Sequence, residues 1–343
     1  MLMSDQKSSL KPEDITELLN FRRRVLTPGP ERDILYEQHP VVVDGAIVAT
    51  SSVRNTYDIV VNAIVHRRPG TCIIGDFRVG KTKAIEKIVS ELMQTFPDLP
   101  IGIVVAKSHD PYTEKTFYTD FLGDFKHGGA NTGTTMDRRN RVRMVMEADS
   151  RRSKSDKYLL MVDEGQNWDE QQWHLLRDLT NDLDMGKIRV LTVTFAHPEL
   201  LNIRDSLINK RRTDLIGRFL LNPYQFTGLS SVKELRETLG AYDDGKNYSY
   251  PINSGISYSE FFLPKAWDSG WRLANEDEFF WSALAYIASR LNKQVGQVGM
   301  NWIGGAIRCF LFSMADKDCV GFKGSLEDWI SAVESCDFES SLI

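Results

Sequence analysis

The chain has 343 residues, a formal net charge of −5 and an apolar fraction of 42%. That length suggests about two domains, and that apolar content supplies a real core, which excludes bulk disorder. No apolar run is long enough to cross a bilayer, and the opening MLMSDQKSSLKPEDITELLNF lacks the apolar stretch of a secretion signal. Cys72, Cys309, Cys319 and Cys336 show no C-x-x-C spacing, which argues against a metal cluster or disulfide framework and fits a reducing cytosol.

Residues 1–40 are polar, with Arg22-Arg23-Arg24 followed by the turn-forming Thr27-Pro28-Gly29-Pro30. They read as an arm, either a docking peptide or a disordered segment. From 41 to 226, short apolar runs alternate with helical patterns: Thr71–Gly75, Ile101–Ala106, Tyr158–Asp163, Ile188–Thr194 and Phe219–Leu221. Such runs are strands buried on both faces. Between the first two, Ile85, Ile88, Val89, Leu92, Met93 and Phe96 mark one face of a helix over Lys81–Phe96. The alternation predicts a five-stranded parallel sheet covered by helices. From 227 to 343 the pattern turns helical over Leu229–Leu239, Asp277–Leu291, Val298–Ala315 and Leu326–Val333. This predicts a smaller helical domain with a tail. It holds Trp267, Trp271, Trp281, Trp302 and Trp329, read as core with a minority available to a partner.

The most specific motif is Gly75-Asp76-Phe77-Arg78-Val79-Gly80-Lys81-Thr82, a complete G-x-x-x-x-G-K-[ST] between a strand and a helix. Its glycines let backbone N–H groups curl around phosphates, Lys81 adds a point charge and the Thr82 hydroxyl is a Mg²⁺ ligand. The run Tyr158–Asp163 followed by Glu164 is an apolar strand ending in two acids. Asp163 would hold Mg²⁺ beside Thr82, and Glu164 would polarise an attacking water. That adjacent pair favours hydrolysis of ATP over transfer of its phosphate to another molecule. Residues 138–157 carry Arg138, Arg139, Arg141, Arg143, Arg151, Arg152, Lys154 and Lys157 against three acids, a net +5 within an acidic chain. Such a block suits DNA phosphates, a solvated helix face, or acidic surfaces of adjacent subunits.

These residues resemble the AAA+ ATPases, and within them the TnsC/TniB/MuB transposition regulators, kin to the origin-recognition and ExeA-like group. The supporting text is Val190–Leu200, Gln166-Asn167-Trp168 and Gly305-Ala306-Ile307-Arg308, and the N-terminal half is most like TnsC of CRISPR-associated transposons. The resemblance spans about residues 40–315. It implies an AAA+ α/β domain with a helical lid, and an ATP- and Mg²⁺-dependent ATPase in the bacterial cytoplasm, at the nucleoid. It further implies a homo-oligomeric ring or filament on double-stranded DNA of any sequence. That assembly would link transposase subunits to a target-selection protein or RNA-guided complex, with no membrane partner.

The resemblance also assigns roles. Sensor 1 is Thr194 or His197, and sensor 2 is Arg308. A trans-acting finger comes from Arg211, Arg212 or Arg218, with Arg212 and Arg218 ahead. DNA contacts fall on Lys107, Tyr112, Thr113, Lys115 and Thr116, and on Arg138, Arg139, Arg151 and Arg152 of the basic block. The alternative is another ATPase of the same clade, an ExeA-like secretion ATPase or a replication initiator or helicase loader.

Overall fold

The structure, a computed structural model, describes residues 12–342, so the first eleven residues of the expected arm lie outside it. Contacts divide the chain into two units, Ser51–Gly228 and a second made of the residues up to Thr50 together with Leu229–Ile343. The second unit opens with α1 (Pro12–Leu26) and α2 (Pro30–Gln38).

The Ser51–Gly228 unit runs α3 (Ser51–Val65), β1 (Gly70–Ile74), α4 (Lys81–Thr95), β2 (Ile101–Val105), α5 (Glu114–Asp124), α6 (Thr135–Arg152), β3 (Lys157–Asp163), α7 (Glu170–Met185), β4 (Arg189–Ala196), α8 (Leu200–Asn209), α9 (Thr213–Phe219) and β5 (Pro223–Gln225). The five strands are parallel, in the order β2-β3-β4-β1-β5. Four expected strands lie within two residues of their predicted starts. The fifth differs. Phe219 ends a helix, with Phe219 and Leu220 buried, and the strand is the three-residue Pro223–Gln225. A proline at the head of a strand is tolerated there because β5 lies at the sheet edge.

Register carries the functional consequence. Ile74 pairs with Ala196 and Val162 with Thr194, so β1, β3 and β4 all end at one edge of the sheet. The turns that follow, at Gly75, Glu164 and His197, therefore meet there. Each of these strands is buried along nearly its whole length, which is why each reads as an unbroken apolar run. On α4, Ile85, Ile88, Val89 and Leu92 are buried, whereas Met93, expected on that face, is exposed.

The second unit continues with α10 (Val232–Tyr242), α11 (Tyr258–Phe262), α12 (Pro264–Asp268), α13 (Asp277–Arg290), α14 (Met300–Ala315) and α15 (Leu326–Ser335). Trp329 is sandwiched between Phe280 and Phe310, at centroid distances of 4.2 and 3.9 Å. The buried Glu276 carboxylate accepts from the indoles of Trp271 (2.7 Å) and Trp329 (3.2 Å). Aromatic area and satisfied polar tips place Trp271 and Trp329 in the core, while Trp267, Trp281 and Trp302 are partly buried. Residues 1–40 are not a free arm where they are described. Val25 is fully buried in this core, and Arg22 is ion-paired with the buried Glu260 and donates to the Ser254 carbonyl. The grouping thus carries residues 41–50 with the helical unit instead of the sheet.

His39 lies fully buried among the rings of Tyr250, Tyr258, Phe261 and Phe262. Its Nδ1 accepts the Val41 N–H at 3.1 Å, and burial pushes its pKa down to about 3. The unfolded chain protonates this imidazole near its ordinary value of 6.5, the folded chain only near 3. Its stabilising contribution is complete above pH 6.5 and falls as pH drops toward 3, by about 1.4 kcal/mol per pH unit. Unfolding free energies from denaturant titrations should approach that slope between pH 6 and pH 4 in the wild type and be flatter in His39→Phe.

Candidate nucleotide site

Gly75 to Gly80 form the loop between β1 and α4. Gly80 turns with φ 105°, a conformation that favours glycine, and precedes α4 without any side-chain cap. The first-turn N–H groups of α4 thus remain available to an anion, reinforced by the helix dipole. Lys81 is only 6% exposed and donates to the carbonyls of Gly75 (2.7 Å) and Asp76 (2.8 Å). Burial pushes its ammonium below the ordinary value, against the pull of Glu164, Asp163 and Asp76.

Asp163, at the end of β3, is 3% exposed. It accepts the Thr82 hydroxyl at 2.7 Å and the Glu164 N–H at 2.9 Å. Burial raises its pKa, opposed first by the Thr82 bond. Both ions are therefore held in an unfavourable environment that a phosphate at Lys81 and a divalent cation at Asp163 would relieve. A hydroxyl and a carboxylate side by side are hard oxygen donors of the kind Mg²⁺ takes together with substrate phosphates. The residues fit the expected group.

The turn after β3 is pinned at three consecutive residues. Gln166 bridges Glu164 and the chain at His197: its Nε2 donates to Glu164 Oε2 at 2.5 Å, and its Oε1 accepts the His197 N–H at 2.8 Å. Asn167 donates to the Ala106 carbonyl at 2.8 Å, just beyond β2. Trp168 packs among Phe117, Phe121 and Trp173. Glu164 itself takes the left-handed conformation, φ 56°.

Of the two sensor-1 candidates, Thr194 is fully buried within β4, its hydroxyl unpartnered, whereas His197 sits at the edge and stacks on Phe77 of the phosphate loop at 4.1 Å. The motif readings missed this stack and the Gln166 bridge. A glutamine two residues past the acidic pair was the available signal.

The remaining candidates scatter. Arg212 is held within its own chain by Glu170 (2.9 Å), Asp214 (2.9 Å) and His174. Arg212 and then Arg177 keep the Asp214 carboxyl well below its usual range. Arg211 is exposed with φ 57°. Arg218 lines a small cleft with Pro69, Asp184 and Arg189 where the strands begin, at the opposite edge of the sheet from its own phosphate loop. It therefore cannot act on the nucleotide of its own chain. Arg308 belongs to the helical unit, where it pairs with Asp44 at 2.9 Å.

The basic helix corrects one expectation outright. Arg138 is buried, with its guanidinium directed at the Thr119 hydroxyl and the Asn131 carbonyl, which takes it off the solvated face on which it was expected. Arg139 pairs with Asp182 at 2.8 Å. Arg151 and Arg152 project, with side chains 79% and 80% exposed. In the segment after β2, Lys107 pairs with Asp120 and Asp124, and Tyr112 donates to Asp120. Thr113 caps α5 by accepting the Thr116 N–H, and Lys115 is exposed.

The family model described as an AAA domain matches residues 65–203. No curated protein matches the chain. Among solved structures, the Aeropyrum pernix ORC2 protein is similar with a TM-score of 0.53 at 10% identity, over 85% of this chain and 68% of that one. Domain III of the Thermotoga maritima replication initiation protein DnaA gives a TM-score of 0.44 at 14% identity, over 86% and 96%. A structure of Drosophila ORC bound to AT-rich DNA and Cdc6 gives 0.42 at 10% identity, over 92% and 44%. The family match and the ORC2 likeness establish the fold as AAA+. Among the described residues no helix is long and apolar enough to cross a membrane.

The geometry of the β3 turn is open to direct test. A Cβ on Gly165 would lie 2.4 Å from the Thr194 methyl, which a β-branched side chain in a buried strand cannot move away. Gly165→Ala should lose about 1–3 kcal/mol of stability in denaturant titrations, and Thr194→Ser in the same chain, lacking that methyl, should restore most of it.

Proposed function

We propose that the protein is an ATPase that assembles on double-stranded DNA without sequence preference and regulates transposition. The observation that carries the ATPase step is the convergence of Lys81, Thr82, Asp163 and Glu164 at one sheet edge. Lys81 and the α4 amides would bind the β- and γ-phosphates. Thr82 and Asp163 would hold Mg²⁺, which would supply positive charge to offset the charge developing on the phosphates. Glu164 orients and polarises the attacking water. With no covalent intermediate to build, positioning and charge stabilisation supply the rate.

Arg218 and Arg211 are the finger candidates best placed to act on a neighbouring copy, since Arg212 is already committed to Glu170 and Asp214. A finger supplied in trans makes turnover depend on assembly. For DNA, the exposed Lys115, Arg151 and Arg152 are the phosphate contacts; the weak surface pairs of the two arginines exchange readily for phosphate. The transposition role, with transposase and target-selector partners at the bacterial nucleoid, rests on the resemblance to TnsC-type regulators. Replication initiation, the alternative, shares the ATPase step and differs in reading DNA sequence.

ATP turnover with random-sequence duplex, across a salt series, tests the reading. Stimulation that falls steeply with salt is expected, since phosphate contacts release counterions. Equal turnover without DNA would remove the DNA role, and strong preference for one sequence would favour the initiator. Glu164→Gln should keep nucleotide binding while turnover drops about 100-fold or more, and Lys81→Ala should lose binding. Normal turnover in the first variant, or unchanged affinity in the second, would overturn these assignments.

A further inference from the structure

A four-residue chain of contacts leads from the phosphate loop to Glu164. The Phe77 ring, 60% exposed at the tip of the loop, stacks on the His197 ring at 4.1 Å with the planes 23° apart. A large aromatic left in solvent on a binding loop calls for a reason, and this stack is one. The main-chain N–H of His197 donates to Gln166 Oε1 at 2.8 Å. With its carbonyl end taken by that donor, the Gln166 amide has its NH₂ end toward Glu164, where it donates to Oε2 at 2.5 Å. The amide can be satisfied in one orientation only: reversed, it would set NH₂ against N–H and oxygen against carboxylate. Gln166 is itself fixed by its neighbours. Gly165 fits against the Thr194 methyl, and Asn167 is tied to the Ala106 carbonyl.

We propose that Gln166 is the positioning residue for the Glu164 carboxylate, and that Phe77, through its stack on His197, links that positioning to the state of the phosphate loop. The inference rests on the reading of Glu164 as the water-orienting base and deepens it. In this role Gln166 acts through Glu164 and not on the substrate directly. It fixes which oxygen of Glu164 is engaged and leaves the other free to accept a proton from water. A base held in one orientation avoids the cost of finding it at each turnover. Loop movement that shifts Phe77 would move the His197 segment and, with it, the N–H donor that locks Gln166.

The test is steady-state ATP turnover of the full chain, with and without duplex DNA, beside direct measurement of ATP affinity. Gln166→Met keeps the volume and removes the bridge; Gln166→Ala is the second variant should the first disturb packing. Both should lower kcat about tenfold or more while ATP affinity stays within about twofold of wild type. Phe77→Ala should lower kcat in the same sense, and Phe77→Tyr, which keeps the stacked ring, should recover most of the loss. The double variant Phe77→Ala/Gln166→Met should be no slower than the slower single variant, as expected for residues acting through one route.

Unchanged kcat in both Gln166 variants would overturn the positioning role. Additive losses in the double variant, or a Phe77→Ala effect confined to ATP affinity, would overturn the link to the loop. Glu164→Gln separates this from the underlying reading: if it turns over normally, the base assignment itself fails, whatever the Gln166 variants do.

Discussion

The bond between the Thr82 hydroxyl and the Asp163 carboxylate is the contact on which the site depends. It joins the start of the helix after β1 to the end of β3, across the intervening β4. It forms because the register brings three strands to one edge, and because neither Asp163 nor Lys81 can reach bulk solvent there. Burial of both ions costs stability, and each is only partly compensated by carbonyls, a hydroxyl and a backbone amide. A fold keeps such a cost where a ligand offsets it.

The structure surrounding that contact is stiff where chemistry needs it. Buried strands supply the floor, and Trp168 anchors the β3 turn in an aromatic cluster. Gln166 spans the gap to the β4 turn. The exposed features are the tip of the phosphate loop at Phe77 and the basic end of α6. Rigid parts therefore hold the acids, and accessible parts face the ligands they would meet.

What could be read from sequence follows from locality. The phosphate loop is contiguous, so its strand, glycines, lysine and threonine were legible together. The acidic pair was legible because a strand buried on both faces is apolar until it ends. Arg138 was not, because a charge count cannot tell which arginine a helix turns inward, and its partners Thr119 and Asn131 come from other segments. The N-terminal residues looked like an arm because Val25, Leu35, Tyr36 and Val41 pack in a core whose members come mostly from the distant C-terminal helices. β5 failed for a different reason: three residues beginning with proline carry no period, while the neighbouring Phe219 and Leu220 look strand-like but close a helix.

The most direct test of the central claim is a calorimetric titration of the full chain with ATP, in Mg²⁺ and again with the metal chelated. If Lys81, Thr82 and Asp163 form one nucleotide–metal site, a single binding event appears and tightens markedly with Mg²⁺, and Asp163→Asn abolishes the metal's contribution while leaving metal-free binding. No binding at millimolar ATP, or binding indifferent to Mg²⁺ in the wild type, would contradict the account and leave the Thr82–Asp163 bond a structural tie alone.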